Sequence, residues 1–174
     1  QGVGLASARA GNVIGGGDWA DDRLIPDILR SFEKNKPVII RNPKATRPWQ
    51  HVLEPLSGYL VLAQKLYKDQ KEYAEGWNFG PNEQDVKPVD WILNKMIVSW
   101  PNSSWKLDES SNPHEAGFLK LDISKSKSKL DWNPVWELSH TLEKIISWHK
   151  AWLNKENMQI VCLTEIKIYM KGMK

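Results

Sequence analysis

The chain has 174 residues, 41% of them hydrophobic and 26% charged, which is enough for one domain with a core and excludes disorder throughout. A formal net charge of +3 is too small to predict nucleic-acid binding, although it does not repel an anionic ligand. The single cysteine excludes an internal disulfide, and no apolar run is long enough for a membrane span or a signal peptide. We therefore expect a cytoplasmic protein that binds neither nucleic acid nor membrane.

The first predicted elements flank a glycine-rich loop. Residues 3–10 are small and apolar and predict a buried strand, Gly15 to Gly17 form the loop, and residues 24–32 predict a helix. Ligands bind after strands in this arrangement, and three glycines let backbone N–H groups approach a phosphate. The same glycines are equally typical of a tight turn, so both interpretations stay open. Because Gln1 already leads into a strand, we expect a fragment of a longer protein.

Further elements follow in an α/β order. Strands are predicted at 37–41 and 76–80, helices at 54–67, 89–100 and 139–153, and a short helix ends at residue 130. The predicted inward face of helix 54–67 consists of Leu56, Leu60, Ala63 and either Leu66 or Tyr67. Glu54 is interpreted as a charge at the amino terminus of that helix. Residues from 154 onward predict a peripheral helix with a frayed end.

Five blocks of the sequence, in order, carry a resemblance. They are RAGNVIGGGDW (9–19), DRLIPDIL (22–29), PVIIRNP (37–43), RPWQHVLEPLSGY (47–59) and GWNFGP (76–81). Together they resemble the carboxyl-terminal half of the CDP-glucose 4,6-dehydratases, a family of extended short-chain dehydrogenases/reductases that act on nucleotide sugars. The resemblance covers nearly the whole chain.

The resemblance implies a fold and a division of the chain. Residues 1–22 would end a Rossmann-type domain with its last strand or strands and its ligand loop. Residues 23–153 would form mainly a smaller mixed α/β domain that binds the nucleotide sugar, with some return to the Rossmann part, and 154–174 a peripheral tail. The parent enzyme would be an NAD-dependent lyase of deoxysugar biosynthesis, acting as a homo-oligomer and converting CDP-glucose to CDP-4-keto-6-deoxyglucose with loss of water.

Two parts of such an enzyme are missing from this sequence. The glycine fingerprint for NAD and the catalytic Tyr-x-x-x-Lys pair are both absent, and Tyr67 with Lys71 has only the spacing of that pair. We therefore predict no catalytic residue in this chain, no turnover by the chain alone, and NAD bound mainly elsewhere. None of the four histidines has the spacing of paired metal ligands, so no metal site is predicted.

The resemblance also assigns binding residues. Arg47 would clamp the diphosphate, which suits the planar fork of a guanidinium, with Asn12 and Arg23 as further polar contacts. Gly11 would lie beside the nicotinamide end of NAD. The remaining predicted substrate contacts are Leu24, Ile39, Arg41, His51, Asn78 and His114. From the residues alone, a surface arginine at position 47, a structural His51 and an ordinary two-stranded ribbon at 37–41 remain open.

Two other functions compete with this assignment. The chain could belong to a related NAD-dependent nucleotide-sugar epimerase or dehydratase that uses another nucleotide. It could also be a non-catalytic module that binds a nucleotide sugar.

Overall fold

The computed structural model of the protein describes residues 3–110 and 117–173. Seven α-helices lie in this part of the chain: α1 (Leu24–Glu33), α2 (Leu53–Lys68), α3 (Gln70–Tyr73), α4 (Val89–Val98), α5 (Ser124–Leu130), α6 (Leu138–Leu153) and α7 (Met158–Gly172). The strands are β1 (Ser7–Ala10), β2 (Asn12–Ile14), β3 (Val38–Ile40), β4 (Thr46–Arg47), β5 (Trp49–His51), β6 (Gly76–Phe79), β7 (Lys87–Pro88) and β8 (Trp105–Leu107). The α/β class predicted from the sequence is confirmed.

The described strands pair two by two. Three pairs are parallel, β1 with β6, β2 with β5 and β3 with β8, and the pair of β4 with β7 is antiparallel. The prediction of a strand from residue 3 was too long, because the partner strand β6 offers only four residues. The prediction that this strand is buried was also wrong, because Ser7, Ala8 and Arg9 in β1 are exposed, as are Val3 and Leu5 before it.

Two hydrophobic clusters hold these pairs together. The first joins α1, β3, α4 and α6, and the second joins α2, α3, β6 and α5. Ile25, Ile28, Leu29 and Phe32 of α1 are all buried in the first cluster, as their helical spacing predicted. In α4, Ile92, Leu93 and Met96 face the same cluster.

The predicted inward face of α2 was wrong except at Leu66, which packs against the second cluster. Leu56 and Leu60 are exposed, whereas Ser57, Gly58 and Leu62 face inward. Gly58 allows this orientation because its backbone lies directly against the ring of Phe79, where a Cβ would come within 2.2 Å of a ring carbon.

The last helix is anchored at both ends rather than frayed. Asn157 caps α7, since its side chain accepts the backbone N–H groups of Gln159 and Ile160. Near the other end, Tyr169 is 3% exposed. Within the described ranges, no helix is both long and apolar enough to cross a membrane.

Candidate functional site

A cavity of about 270 Å³ lies beside β2 to β5 and the amino terminus of α1. The structure brings five of the predicted substrate-binding residues to it: Asn12, Leu24, Ile39, Arg41 and Arg47. These residues come from four separate segments, so the folded chain, rather than one motif, forms the cavity. Their contact with a substrate stays a prediction.

Arg47 and Asn12 reach the cavity from strands of two different pairs. Arg47 lies in β4 opposite Lys87 of β7, and its Nη1 donates a hydrogen bond to the carbonyl oxygen of Thr46 at 3.0 Å. Asn12 begins β2, and its backbone N–H donates to the carbonyl oxygen of Pro48, one residue after Arg47, at 2.8 Å. The hydrogen bond fixes the two residues relative to each other. A cation and an amide together suit an anionic group such as a diphosphate.

Ile39 and Arg41 come from β3 and the residue after it. Val38 and Ile40 are buried in the first hydrophobic cluster, and the alternation along the strand leaves Ile39 exposed. The Nη2 atom of Arg41 lies 3.7 Å from Oδ1 of Asp22, in the loop before α1. This side of the cavity therefore carries an ion pair beside an apolar side chain.

Among the cavity-lining residues that sequence reasoning did not single out are Asp22, Asp27 and Trp49. All three lie inside the quoted sequence blocks, next to residues that were singled out. The signal was therefore present, but neither periodicity nor composition distinguishes a carboxylate that lines a cavity from one that is solvated.

Arg23 and Asn78 lie outside the lining of this cavity. Arg23 points to Asp18, with 3.1 Å between Nη1 and Oδ2, and its side chain is 64% exposed. The Nδ2 atom of Asn78 donates to the carbonyl oxygen of Asp122 at 3.0 Å. Both side chains thus have structural partners, and their predicted roles in binding are not supported by the position of the cavity.

Gly11 marks the point where the chain leaves one strand pair and enters another. Its N–H donates to the carbonyl oxygen of Phe79, and a Cβ at this position would lie 2.3 Å from the carbonyl oxygen of Pro48. The side chain of Gln50 donates to the same Phe79 oxygen at 2.8 Å. Close backbone approach is therefore sufficient to explain the glycine, and its predicted place beside NAD stays a prediction.

His51 does not line the cavity, so its place in the binding site stays a prediction that this geometry does not support. The side chain is 2% exposed; its Nδ1 accepts the backbone N–H of Leu53 at 3.3 Å, and its Nε2 lies 3.5 Å from Oε1 of Glu165 in α7. Burial, with smaller contributions from His140 and Lys144, lowers the pKa of His51 to about 4. The neutral ring therefore acts as a cap at the start of α2.

Glu54 is a buried acceptor rather than a solvated charge at a helix terminus. Its carboxylate is 1% exposed and accepts the backbone N–H groups of Val135 at 2.9 Å and Trp136 at 2.7 Å, together with the hydroxyl of Tyr169 at 2.8 Å. Burial raises the pKa of this carboxyl group, and the two backbone N–H groups partly oppose the rise. Glu54 thus holds α7 against α2.

The glycine-rich loop is covered by an aromatic ring. A Cβ on Gly16 would lie 2.2 Å from a ring atom of Trp148 in α6, and Gly17 has a φ of +78°. Trp148 packs in turn against Trp19, with 6.2 Å between ring centroids. The turn interpretation therefore accounts for these glycines, because packing and backbone conformation both require them.

Two further sequence predictions concern His114 and metal binding. His114 lies outside the described residues. In the described ranges, no group of three or more His, Cys, Asp or Glu side chains could hold a metal ion.

Comparison with known proteins gives a similar curated protein and many structural neighbours. The chain is 61% identical over 173 residues to CDP-glucose 4,6-dehydratase of Salmonella typhimurium, covering 99% of this chain and 48% of the relative. A dTDP-glucose 4,6-dehydratase of Bacillus anthracis, solved with NAD, matches with a TM-score of 0.66 at 17% identity, over 83% of this chain and 44% of that one. No family model matches the chain.

A second solved structure has a similar fold and a different activity. A UDP-glucuronic acid 4-epimerase of Bacillus cereus, in complex with UDP-glucuronic acid and NAD, matches with a TM-score of 0.67 at 21% identity, over 86% of this chain and 46% of that one. The chain therefore has the fold of about half of an extended short-chain dehydrogenase/reductase. The resemblance stated from the sequence is confirmed, and the chain spans about half the length of the short-chain dehydrogenase/reductase relatives that it matches.

Proposed function

We propose that this chain is the nucleotide-sugar-binding half of a CDP-glucose 4,6-dehydratase. The parent enzyme converts CDP-glucose to CDP-4-keto-6-deoxyglucose with loss of water. The observation that carries the proposal is the cavity that joins Asn12, Arg41 and Arg47. The 61% identity to the Salmonella dehydratase supports CDP-glucose as the ligand of that cavity.

Each end of the ligand has a matching part of the cavity. Arg47 and Asn12 bind the diphosphate, where a planar guanidinium donates to two oxygens at once. Leu24, Ile39 and Arg41 contact the nucleoside. Binding energy from this non-reacting part of the substrate holds the glucose in register with catalytic groups that lie outside the chain.

Catalysis requires residues that this half does not supply. Tyr67 is 89% exposed near the end of α2, Lys71 is exposed on α3, and neither residue lines the cavity. Their Tyr-x-x-x-Lys spacing is therefore coincidental. The chain alone binds without turning over its substrate.

The parent enzyme is NAD-dependent, as the NAD in two structural relatives supports. The described residues do not fit a dinucleotide by themselves, because Trp148 fills the space above Gly16 in their one run of three glycines. NAD is accordingly held mainly by residues outside this chain, with Gly11 as this half's contribution. The enzyme works in the cytoplasm as a homo-oligomer.

Calorimetric titration of the complete parent polypeptide with CDP-glucose tests this function. Replacing Arg47 by alanine removes charge-assisted hydrogen bonds to the diphosphate, so CDP-glucose should bind about ten- to a hundredfold more weakly. The Lys68→Ala variant, altered at an exposed cation at the end of α2, should bind as tightly as the unaltered protein. Equal affinities of the Arg47→Ala and Lys68→Ala variants would contradict the site.

The competing functions give other outcomes in the same experiment. An enzyme that uses another nucleotide would bind UDP-glucose or dTDP-glucose in preference to CDP-glucose. Both ligands are tested because the structural relatives named above act on UDP- and dTDP-sugars. A non-catalytic module would bind CDP-glucose tightly, and the complete polypeptide would release no CDP-4-keto-6-deoxyglucose.

A further inference from the structure

The side of the cavity that we assign to the nucleoside carries the carboxylate of Asp22, which is available to accept hydrogen bonds from a ligand. In the described part of the chain, the charged partner of Asp22 is Arg41, and the 3.7 Å between Oδ1 and Nη2 exceeds a hydrogen bond. The other carboxylate of the lining, Asp27, accepts a hydrogen bond from Nη2 of Arg30. Asp22 is therefore the lining carboxylate that is best able to accept hydrogen bonds from a ligand.

Arg41 places donors beside that acceptor. Its side chain is 52% exposed and that of Asp22 is 89% exposed, so both polar groups are open to a ligand that enters the cavity. The pair thus presents an acceptor and a donor next to each other. A flat group with a donor and an acceptor in the complementary order would satisfy both side chains.

Cytosine presents a hydrogen-bond donor for Asp22 next to an acceptor for Arg41, whereas uracil presents the acceptor and the donor in the reverse order. Cytosine carries an exocyclic amino donor at N4 next to an acceptor at N3, and a carboxylate is a suitable acceptor for the N4 amino group. Uracil carries an acceptor at O4 next to an N3–H donor. Against Asp22 and Arg41, uracil would face oxygen with oxygen and N–H with N–H, and both contacts would be repulsive.

We propose that Asp22 and Arg41 read the base of the nucleotide sugar and select cytosine over uracil. This inference rests on the proposed function, because it assumes that a nucleotide sugar occupies the cavity. Asp22 accepts from the N4 amino group and Arg41 donates to N3. Arg47 and Asn12 bind the diphosphate, which is the same in both nucleotides, so they contribute affinity without this selectivity.

Substitution of Asp22 by asparagine tests the reading of the base. Asparagine keeps the size of the side chain and tolerates the φ of +57° at this position, so the variant should fold. Its amide can rotate to donate to O4 of uracil, so the preference for CDP-glucose over UDP-glucose should fall by about tenfold or more. The measurement is calorimetry of the complete polypeptide with each nucleotide sugar.

Asp21→Asn is the matched control. Asp21 is the preceding residue, is 94% exposed and interacts with Arg30 at 3.4 Å, so its substitution makes the same change in charge outside the cavity lining. This variant should keep the preference of the unaltered protein. Titration with CDP and UDP, which lack glucose, should reproduce each ratio, because the base alone decides it.

Failures of the two proposals are distinguishable. If the unaltered protein prefers CDP-glucose and Asp22→Asn keeps that preference, the role of Asp22 is overturned while the proposed function stands. Equal binding of both nucleotide sugars by the unaltered protein also overturns the role of Asp22. Binding of neither nucleotide sugar overturns the proposed function itself.

Discussion

Tyr169 shows at the residue scale how a buried charge is accommodated. Its hydroxyl donates to Glu54 and lies 3.0 Å from Oγ of Ser57, which in turn accepts the indole N–H of Trp132 at 3.0 Å. A buried carboxylate is tolerated when hydrogen bonds replace its hydration, and Glu54 accepts three such bonds. Burial and the neighbouring Glu54 raise the pKa of Tyr169 well above its usual value, so the hydroxyl keeps its proton.

Removing that hydroxyl gives a direct measure of the network. Tyr169→Phe should lower the free energy of unfolding by about 1–3 kcal/mol, because Glu54 and Ser57 each lose a buried partner. Urea denaturation at pH 7 measures the change. The same substitution at the exposed Tyr67 should have little effect, and equal losses in the two variants would show that the network adds no stability.

The position of Glu54 could not be predicted from the sequence. Its partners are 81, 82 and 115 residues away along the chain, and no local pattern reports such distances. A charge at the start of a helix is normally solvated, which is what the sequence suggested. The burial of His51 away from the cavity was unpredictable for the same reason: the block that contains it identified the fold correctly but could not say which side chains point away from the cavity.

Element by element, helix positions were predicted well and helix faces less reliably. Helices α1 and α4 carry one apolar stripe each, so spacing alone identified their buried sides. Helix α2 carries large apolar residues on one face and glycine and serine on the other. The face with small residues is the buried one, because Gly58 admits Phe79 and Ser57 joins the polar network. The prediction from hydrophobicity therefore chose the opposite face of α2, which is mostly exposed.

The packing of α2 makes the effect of an alanine depend on its position. Gly58→Ala should lower the free energy of unfolding by about 1–3 kcal/mol, since the new methyl group overlaps the ring of Phe79. At an exposed helical position the same replacement would stabilise by about 1 kcal/mol. Gln64→Ala, on the exposed side of α2, is the control and should be neutral or slightly stabilising. A stabilising Gly58→Ala would contradict the close contact.

At the scale of the whole molecule, three ionisable groups with shifted pKa values, His51, Glu54 and Glu165, lie where α7 meets β5 and α2. Burial lowers the pKa of His51 to about 4, whereas it raises the pKa values of Glu54 and Glu165. These shifts act on stability in opposite directions. Below its ordinary pKa of 6.5, His51 takes up a proton in the unfolded chain before it does so in the folded one, so its contribution is lost as the pH falls towards 4. The two carboxyl groups oppose this loss, because the folded state protonates them first.

A histidine variant isolates one of these contributions. His51→Asn keeps an acceptor for the N–H of Leu53 but does not titrate between pH 7 and 4.5. The unfolding free energy of the unaltered protein minus that of the variant should shrink by about 2 kcal/mol over this interval. Urea denaturation at both pH values measures it. A difference that is independent of pH would show that His51 titrates alike in the folded and unfolded states.

The two hydrogen bonds that the carbonyl oxygen of Phe79 accepts affect how rigidly two strand pairs are joined. Gly11 is the pivot residue between the β1–β6 ladder and the β2–β5 ladder, and a glycine by itself offers little resistance to torsion. The N–H of Gly11 and the amide of Gln50 both donate to that oxygen, one from the pivot and one from the second ladder. The two hydrogen bonds restrict rotation of the backbone at Gly11, so they fix the orientation of the second strand pair relative to the first. The distance between the end of β1 and Arg47 is thereby held constant.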